Sequence, residues 1–301
     1  MPSFLPEVWP DPIWSPGLFT EEIQHSLYEN EHPMNISEQL NNRVFSFTVV
    51  TVCFNNATTI RQTIESVLAQ THPDIEYVIV DGASTDGTLD IIKEYGDRIT
   101  WISEPDRGLY FAMNKGWKMA TGEYLGYLNA DDFFNRNDVI ESMVNVLRVN
   151  PQIFAFYGDL AYVKADDTSK IVRYWKAGPY WRYSFLFGWM PPHPTFYARR
   201  LAIKAVNGFR AQEFKSAADY QLMLGLLYKE RIPAHYIPIL MVRMRVGGIS
   251  NSSLKNRLRA FREDRRAWKV YGLICWFPTL ILKPVRKIYQ YFYRPKDENI
   301  L

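Results

Sequence analysis

The sequence has little cysteine and no long hydrophobic run. Its two cysteines, Cys53 and Cys275, lie in apolar stretches, which argues against a disulfide framework and against a cysteine-based metal site. The N-terminus lacks a basic segment followed by an apolar one, so we expect no signal peptide. Together these absences predict a cytoplasmic protein in a reducing compartment.

Basic residues show no excess over most of the chain and are concentrated near its C-terminus. Between Lys255 and Glu298 there are 12 Lys and Arg against 4 Asp and Glu, while the rest of the chain carries 23 against 28. Residues 270–282 contain no charge, but about 20 apolar residues are needed to span a bilayer. We therefore predict that residues 254–301 make a peripheral contact with the anionic inner face of the cell membrane. The alternative is a pair of C-terminal helices packed on the body.

Apolar, β-branched runs alternate with helical patterns over the first half of the chain. The predicted strands are 45–54, 77–80, 100–103 and 124–128, and the predicted helices are 58–70, 88–95, 110–120 and 137–150. Later strands are predicted at 154–158, 171–175 and 236–246, and a helix from 216 to about 229. This alternation with short connections predicts an α/β protein with a mostly parallel central sheet and helices on both faces.

Polar side chains follow each of the first four predicted strands: Asn55 and Asn56, Asp81, the group Glu104, Asp106 and Arg107, and the pair Asp131 and Asp132. Parallel sheets bind ligands beyond the carboxyl ends of their strands, so these side chains predict one shared site. Two adjacent carboxylates suit Mg²⁺ or Mn²⁺, although Asn and Asp are also common turn residues. Because no glycine-rich nucleotide motif follows the first strand, a nucleotide here would rely on carboxylates and a metal.

Three features of the second half each have two interpretations. The aromatic stretch 179–189 could form the wall of a sugar site or pack in the core. His193, which lies between prolines, is a hydrogen-bonded structural residue or, slightly less favoured, a metal ligand or phosphate contact. Asp219 stands three residues after Ser216, which is a capping-box spacing, but it also points inward from a helix start, as a general base would.

Four segments resemble the motifs of the inverting family-2 glycosyltransferases of bacterial polysaccharide biosynthesis. They are Val49–Asn56 (VVTVCFNN), Val80–Thr88 (VDGASTDGT), Asn114–Gly122 (NKGxxxAxG) and Leu128–Asp132 (LNADD). The resemblance is strong over about 45–160 and weaker from His193 to about Leu227. It implies a GT-A (Rossmann-like) fold, a nucleotide-sugar donor with a UDP-sugar favoured, and a Mg²⁺ or Mn²⁺ cofactor.

The resemblance also implies roles for individual residues. Asp81 would accept a hydrogen bond from the nucleotide base, and Phe54 would lie beside that base. Three further residues would line the nucleotide site: Asp106, Arg107 and Asn114. Asp131 would contact ribose or the metal, and Asp132 would hold the metal at the diphosphate, with His193 as a further candidate ligand. Asp219 would be the catalytic base.

The chain departs from the family pattern at several positions. Gly82 replaces a second carboxylate after the second strand, Asn129 replaces the first acid of the D-x-D motif, and Ala218 stands where many relatives carry Glu. No Q-x-x-R-W motif is present, so processive polymer synthesis is not expected. We expect three parts: an irregular N-terminal arm, a GT-A domain with a donor half and an acceptor half, and a basic amphipathic C-terminal extension, with bounds at 1–43, 44–250 (divided into 44–160 and 161–250) and 251–301.

The sequence therefore predicts a hexosyl- or N-acetylhexosaminyl-transferase that inverts the anomeric centre. Its acceptor would be a hydroxyl of a saccharide, with a lipid-linked saccharide favoured because of the basic C-terminal segment. A nucleotidyltransferase would be expected to carry a Gly/Lys/Arg-rich signature after the first strand, and Cys53–Asn56 has none. A non-catalytic nucleotide- or carbohydrate-binding module is the other alternative. Nucleic acid is not an expected partner, because the basic residues lie on the tail and not on the sheet.

Overall fold

The computed structural model describes residues 43–247 and 254–293. Most of the predicted arm (1–43), residues 248–253 and the last eight residues of the chain lie outside this range. The resemblance-based domain bounds therefore remain predictions. The described residues cover most of the expected GT-A domain (44–250) and most of the expected C-terminal extension (251–301).

Nine strands of the described residues form a single sheet. They are β1 (Phe47–Cys53), β2 (Ile75–Asp81), β3 (Thr100–Ser103), β4 (Tyr124–Tyr127), β5 (Asp132–Phe134), β6 (Ala155–Val163), β7 (Ile171–Trp175), β8 (Tyr197–Arg199) and β9 (Ala234–Arg245). The strand order is β3-β2-β1-β4-β8-β6-β9-β5, and β7 pairs with β6 outside this path. The mostly parallel α/β sheet is the predicted fold class, and that prediction is confirmed.

The first half of the described chain contains four mutually parallel strands, β1 to β4. Strand β1 lies between β2 and β4 and runs parallel to both, and all seven of its residues are buried. A strand covered on both faces needs apolar and β-branched residues throughout, which explains its sequence FTVVTVC. The helices of this half are α1 (Ile60–Leu68), α2 (Thr88–Lys93), α3 (Leu109–Met119) and α4 (Val139–Val149).

Antiparallel strands extend the sheet in the acceptor half. Strand β8 runs antiparallel to both β4 and β6, and β9 then runs parallel to β6 over most of its length. Strand β5, which sequence patterns did not predict, pairs antiparallel with β9 and begins at Asp132. Asp131 therefore lies in the connection from β4 to β5, and Asp132 is the first residue of β5.

The remaining helices are α5 (Arg200–Ala205), α6 (Ala218–Met223), α7 (Leu254–Val270) and α8 (Phe277–Val285). A π-helical segment, Leu224–Lys229, continues α6, so the predicted helix over 216–229 is found but changes its winding halfway. Helix α7 packs on α6, and α8 packs on a 3₁₀ turn, Arg182–Phe187. Within 43–247 and 254–293, no helix combines the length and the hydrophobicity needed to cross a membrane.

Candidate active site

The candidate site lies at the carboxyl ends of the parallel strands, at the point where the strand order reverses. Strands β2 and β3 lie on one side of β1 and β4 lies on the other, which makes the edge between β1 and β4 a topological switch point. Hydrogen bonds there join the loop after β1 to the loop after β2. The backbone N–H of Asn55 donates to Ser84 Oγ at 2.8 Å, and Asn55 Oδ1 accepts from the N–H of Thr85 at 2.9 Å.

Asp81 ends β2 and is fully buried. Its carboxylate accepts hydrogen bonds from the Ser84 N–H at 3.0 Å and from Ser103 Oγ at 2.6 Å, and Cys53 Sγ lies 3.5 Å from Oδ1. These contacts join the ends of β1, β2 and β3. The structure thus gives Asp81 a role in holding the rim together, and its contact with a nucleotide base stays a prediction.

Phe54 lies at the rim directly after β1, and 62% of its surface is exposed. Its ring covers Gly82, where an added Cβ would come within 3.3 Å of the ring carbon Cδ2. Gly82, which replaces the family's second carboxylate, therefore leaves room for the Phe54 ring. An exposed ring at the end of a parallel strand can stack on a planar group such as a nucleotide base.

The loop after β3 brings two of the predicted nucleotide-site residues to the start of α3. Lys115 Nζ lies 2.7 Å from Asp106 Oδ1 and 2.6 Å from Glu104 Oε1, so one ammonium group pairs with both carboxylates. The second oxygen of Asp106, Oδ2, is buried and has no hydrogen-bond partner among the described residues. Arg107 is exposed, and its guanidinium lies 4.7 Å from the centre of the Phe111 ring.

Asn114 uses its amide within the protein. Its Nδ2 donates to the carbonyl of Phe209 at 2.7 Å, and its Oδ1 accepts from the N–H of Phe209 and from Trp117 Nε1, both at 3.0 Å. These bonds fix the segment that precedes α6 against α3. The predicted contact between Asn114 and a nucleotide remains untested, whereas this bridging role is a property of the structure that the motif did not indicate.

The carboxylate pair occupies two different environments. Asp132 is fully buried, its Oδ2 accepts from Asn129 Nδ2 at 2.9 Å, and its Oδ1 has no partner among the described residues. Burial, reinforced by the neighbouring Asp131 charge, raises the pKa of Asp132 well above its ordinary value. Asp131 is half-buried, and burial raises its pKa as well, while the Arg245 guanidinium, which donates to the Asp131 carbonyl, opposes that rise.

The carboxylate oxygens of Asp131 and Asp132 are suited to binding a divalent cation. The buried Asp132 Oδ1 has no hydrogen-bond donor and lies beside a second acid, and hard oxygen ligands are those that Mg²⁺ and Mn²⁺ prefer. Among residues 43–247 and 254–293, no three His, Cys, Asp or Glu side chains converge into a metal-binding group. Asp131 and Asp132 would supply part of the coordination shell of such a cation.

Asp219 lies in the first turn of α6, half-buried, and its partner comes from a different part of the chain. Tyr110 Oη donates to Asp219 Oδ1 at 3.1 Å, and no donor among the described residues contacts Oδ2. Burial, followed by the charge of Asp219, raises the pKa of Tyr110 well above its ordinary value, so the phenol stays a donor. The capping-box interpretation is not supported, since no side chain caps the start of α6.

Aromatic rings connect Asp219 with the end of β4. The ring of Tyr110 lies 5.5 Å from that of Phe209, which lies 5.2 Å from that of Tyr127, the last residue of β4. Asn129 and Asp131 follow Tyr127 by two and four residues. The candidate base and the carboxylate pair thus flank one packed group of rings at the same edge of the sheet.

His193 belongs to this aromatic group and not to the carboxylate pair. Its ring stacks on Tyr127 with centroids 5.7 Å apart and meets Phe209 edge-on at 6.0 Å. Burial lowers the pKa of His193, although the charge of Asp219 acts in the opposite direction. Its Nε2 is buried and makes no hydrogen bond within the described residues, so the bond expected at this atom of a structural histidine is missing. A metal or phosphate contact remains a prediction.

Glu263 is a residue of the site that no sequence pattern indicated. It lies on α7, and its carboxylate accepts from the backbone N–H groups of Lys215, Ser216 and Ala217 at 3.1, 2.7 and 3.0 Å. These donors immediately precede α6 and Asp219. Because Glu263 is 48 residues from Lys215 in the chain, no local pattern connects the two.

The aromatic stretch 179–189 is divided between the core and the surface, and its interpretation as the wall of a sugar site stays a prediction. Phe185 and Trp189 are buried in the core, whereas Trp181, Tyr183 and Phe187 expose 53%, 42% and 39% of their surfaces. The exposed rings lie on the 3₁₀ turn against which α8 packs, and Thr279 Oγ1 of α8 donates to the Leu186 carbonyl at 2.6 Å. The stretch therefore supplies core contacts on one side and an exposed aromatic surface on the other.

The strand order and the carboxylates at its switch point define a protein of the GT-A fold class. The fold is similar to that of S. aureus TarS in complex with UDP-GlcNAc, with a TM-score of 0.59 and 16% sequence identity over 76% of this chain and 66% of that one. It is also similar to the mannosyltransferase PcManGT from Pyrobaculum calidifontis in complex with GDP-Man and Mn²⁺, with a TM-score of 0.54 and 17% identity over 84% and 75%.

Residues 48–203, more than half of the chain, match glycosyl transferase family 2, and the chain belongs to that family. It is 34% identical over 118 residues to a PGL/p-HBAD biosynthesis glycosyltransferase of Mycobacterium tuberculosis (strain ATCC 25618 / H37Rv), covering 38% of this chain and 46% of the relative. It is 36% identical over 114 residues to a putative teichuronic acid biosynthesis glycosyltransferase of Bacillus subtilis (strain 168), covering 36% and 45%. The matches span about half the length of these relatives.

Proposed function

We propose that this chain is an inverting glycosyltransferase that moves a sugar from a nucleotide diphosphate to an acceptor hydroxyl. The observation that carries the proposal is the position of Asp219, which is bonded to Tyr110 and joined through packed rings to the end of β4, from which Asp131 and Asp132 follow. A proton acceptor and a cation-binding pair at one rim are the two groups that such a transfer needs.

The donor proposed is a nucleotide sugar, with a UDP-sugar favoured and a hexosyl or N-acetylhexosaminyl group transferred. Membership of glycosyl transferase family 2 supports this choice, and so do the UDP-GlcNAc and GDP-Man bound to the two proteins of similar fold. The exposed ring of Phe54 supplies a surface for the base. Arg107, exposed after β3, supplies a cation at the same rim.

Asp131 and Asp132 would hold Mg²⁺ or Mn²⁺, which when bound offsets negative charge on the diphosphate leaving group. Asp219 Oδ2 accepts the proton of the acceptor hydroxyl, while Tyr110 holds Oδ1 and so fixes the orientation of the carboxylate. The hydroxyl oxygen then bonds to the anomeric carbon as the bond between that carbon and the diphosphate breaks. A single displacement of this kind inverts the anomeric centre.

The acceptor proposed is a saccharide hydroxyl of a bacterial cell-surface glycan, on a lipid-linked carrier at the inner face of the membrane. The relatives named for PGL/p-HBAD and teichuronic acid biosynthesis support a glycan acceptor. Apolar side chains exposed on and around α8 support peripheral membrane contact: Ile274, Trp276, Ile281, Val285 and Ile288.

Replacing Asp219 by Asn tests the proposal. The variant keeps the size of the side chain but cannot accept the proton, so kcat should fall by about 10²–10⁴-fold while donor affinity, measured by calorimetry, stays unchanged. Asp90→Asn, which removes an exposed carboxylate on α2, is the matched control and should keep full activity. Equal turnover in Asp219→Asn and the parent, or product with retained anomeric configuration by NMR, contradicts the mechanism.

A further inference from the structure

Arg245 is the last residue of β9, and the sheet brings it to the same edge as the ends of the parallel strands. Strand β8 runs antiparallel to both β4 and β6, and β9 runs parallel to β6, so β9 points in the same direction as β4. Strand β5 pairs with β9 and places Asp132 opposite Met244. Arg245 therefore lies beside the carboxylate pair, although 114 positions separate it from Asp131 in the chain.

The guanidinium group of Arg245 is held by neutral acceptors. Its Nη1 donates to the Asp131 carbonyl and its Nη2 donates to Gln62 Oε1 on α1, while its central carbon lies 5.2 Å from the centre of the Phe133 ring. In the part of the chain that the structure describes, no carboxylate forms an ion pair with this group, and Arg245 is only 9% exposed. A buried cation of this kind is costly unless an anion joins it.

The guanidinium group also has donors to spare. It carries five N–H groups in a planar fork, and the two hydrogen bonds to Asp131 and Gln62 use one at each terminal nitrogen. The remaining three have no acceptor among the described residues. Pairs of N–H groups in this planar arrangement match the oxygen atoms of a phosphate group.

The loop beside Arg245 is held from α1 as well. The fully buried Thr63 places its Oγ1 3.0 Å from the Ala130 carbonyl and 2.7 Å from the Asp132 carbonyl. Since Arg245 holds the carbonyl of Asp131, three successive carbonyl groups of this loop are bound by side chains. One of the two side chains is uncharged and the other is charged, so position and charge can be tested separately.

The charges at this rim are balanced differently from those of a site with three acids. Asn129 stands at the first position of the D-x-D motif, and its Nδ2 donates to Asp132 Oδ2 at 2.9 Å. Burial lowers the pKa of Arg245, and the charges of Asp131 and Asp132 oppose that change, so the guanidinium and the two carboxylates act on one another. Two acids beside one guanidinium repel an incoming diphosphate less than three acids would.

We propose that Arg245 binds the diphosphate group of the nucleotide-sugar donor directly, beside the carboxylate pair. The inference rests on the proposed glycosyl transfer and adds a residue that contacts the leaving group. When the bond between the anomeric carbon and the diphosphate oxygen breaks, its electron pair stays on that oxygen, and the spare N–H groups of Arg245 stabilise the charge. Part of the affinity for the donor then needs no divalent cation.

Calorimetry with inorganic diphosphate, in the presence of a chelator, tests this assignment. The variant Arg245→Gln should keep its fold, as judged by Tm, and should bind the probe about tenfold more weakly or worse, because the charge-assisted contact is lost. Arg243→Gln is the matched control. Arg243 lies on the same strand and donates to Asn135 Oδ1 and the Thr168 carbonyl, away from the carboxylate pair, so its variant should bind as the parent does.

The variant Thr63→Val separates the charge of Arg245 from the position of the loop. It removes the hydroxyl group that holds two of the carbonyls and leaves the guanidinium group in place, so its affinity for diphosphate should match that of the parent. An equal loss of affinity in Thr63→Val and Arg245→Gln would indicate a disturbed loop and contradict direct binding. Unchanged affinity in Arg245→Gln overturns the proposal.

The parent chain provides a test that depends on no variant. If it binds no diphosphate at about 10 mM without divalent cations, Arg245 is not a diphosphate site and the proposal is wrong. Turnover in Asp219→Asn is measured separately. Sugar transfer by a chain whose diphosphate affinity is independent of Arg245 would leave the proposed activity standing, and diphosphate binding through Arg245 without any transfer would leave only the anion site.

Discussion

At the scale of single residues, the carboxylates of the candidate site differ in burial and in the number of hydrogen bonds that they accept from the protein. Asp81 has all its hydrogen bonds filled by the protein, Asp132 has one oxygen without a partner, and Asp219 has one oxygen held and one open. The residue type alone cannot distinguish these states, because each follows from which side chains the fold brings within 3 Å.

The first prediction concerns the hydrogen bond between Tyr110 and Asp219. In Tyr110→Phe the carboxylate loses the donor that orients it, so kcat should fall by about tenfold while the KM for the donor stays the same. Tyr127→Phe is the matched control, since its hydroxyl donates to the Met113 carbonyl in the same ring group and does not touch Asp219. A similar loss of kcat in both variants would indicate a packing effect and not an orienting bond.

The second prediction concerns pH and the carboxylate pair. Burial raises the pKa values of Asp131 and Asp132 in the folded chain, so the stability they support is present below about pH 4 and is lost as pH rises through the folded pKa values. Cation binding requires the ionised forms, so the increase in Tm caused by Mn²⁺ should grow over the same pH window.

Thermal unfolding at several pH values, with and without Mn²⁺, measures this effect. Asp132→Asn should remove most of the Mn²⁺ stabilisation and flatten the pH dependence of the metal-free protein. Asp90→Asn, an exposed carboxylate on α2, should behave as the parent does. Undiminished Mn²⁺ stabilisation in Asp132→Asn would rule out the metal role of this residue.

At the scale of secondary-structure elements, α7 and α6 form one unit. Helix α7 supplies Glu263 to the backbone N–H groups before α6, and its Trp268 is fully buried with its Nε1 donating to Tyr220 Oη at 2.9 Å. Because α6 carries Asp219, the C-terminal segment contributes to the position of the candidate base. The alternative interpretation, C-terminal helices packed on the body, is therefore what the structure shows, and membrane contact stays a prediction.

The third prediction concerns the hydrogen bonds from the backbone N–H groups before α6 to Glu263 on α7. In Glu263→Gln, the amide group places a donor against buried N–H groups, so the free energy of unfolding should fall by about 1–3 kcal/mol. At temperatures well below the Tm, kcat should fall while the KM for the donor stays constant, since only the Asp219 side of the site moves. Arg266→Ala, which breaks an exposed pair with Glu213, should cost less than about 1 kcal/mol and keep kcat.

At the scale of the whole molecule, the C-terminal segment combines buried contacts to the body with exposed apolar side chains. Deleting residues 254–301 is a poor test of membrane contact, because it would also remove Glu263 and the buried Trp268 and so disturb α6. Substitutions confined to exposed side chains avoid this problem.

The fourth prediction uses such substitutions. Replacing Ile274, Trp276 and Ile281 by Ser should reduce co-sedimentation with anionic vesicles several-fold, because these side chains expose 88%, 52% and 47% of their surfaces. Val149→Ser/Leu201→Ser, which removes exposed apolar groups elsewhere, is the control and should bind vesicles as the parent does. Unchanged co-sedimentation of the triple variant would exclude this surface as the contact.

The amino-acid sequence by itself determined the alternating elements and the mostly parallel sheet, because hydrophobic period and turn residues are local properties. It also gave the polar residues at the strand ends, since those follow each apolar run directly. Tertiary structure decided the rest: the pairing of β5 with β9, the bond from Tyr110 to Asp219, and the support of α6 by Glu263. These contacts join residues tens to more than a hundred positions apart, and their partners are chosen by packing, which no local pattern records.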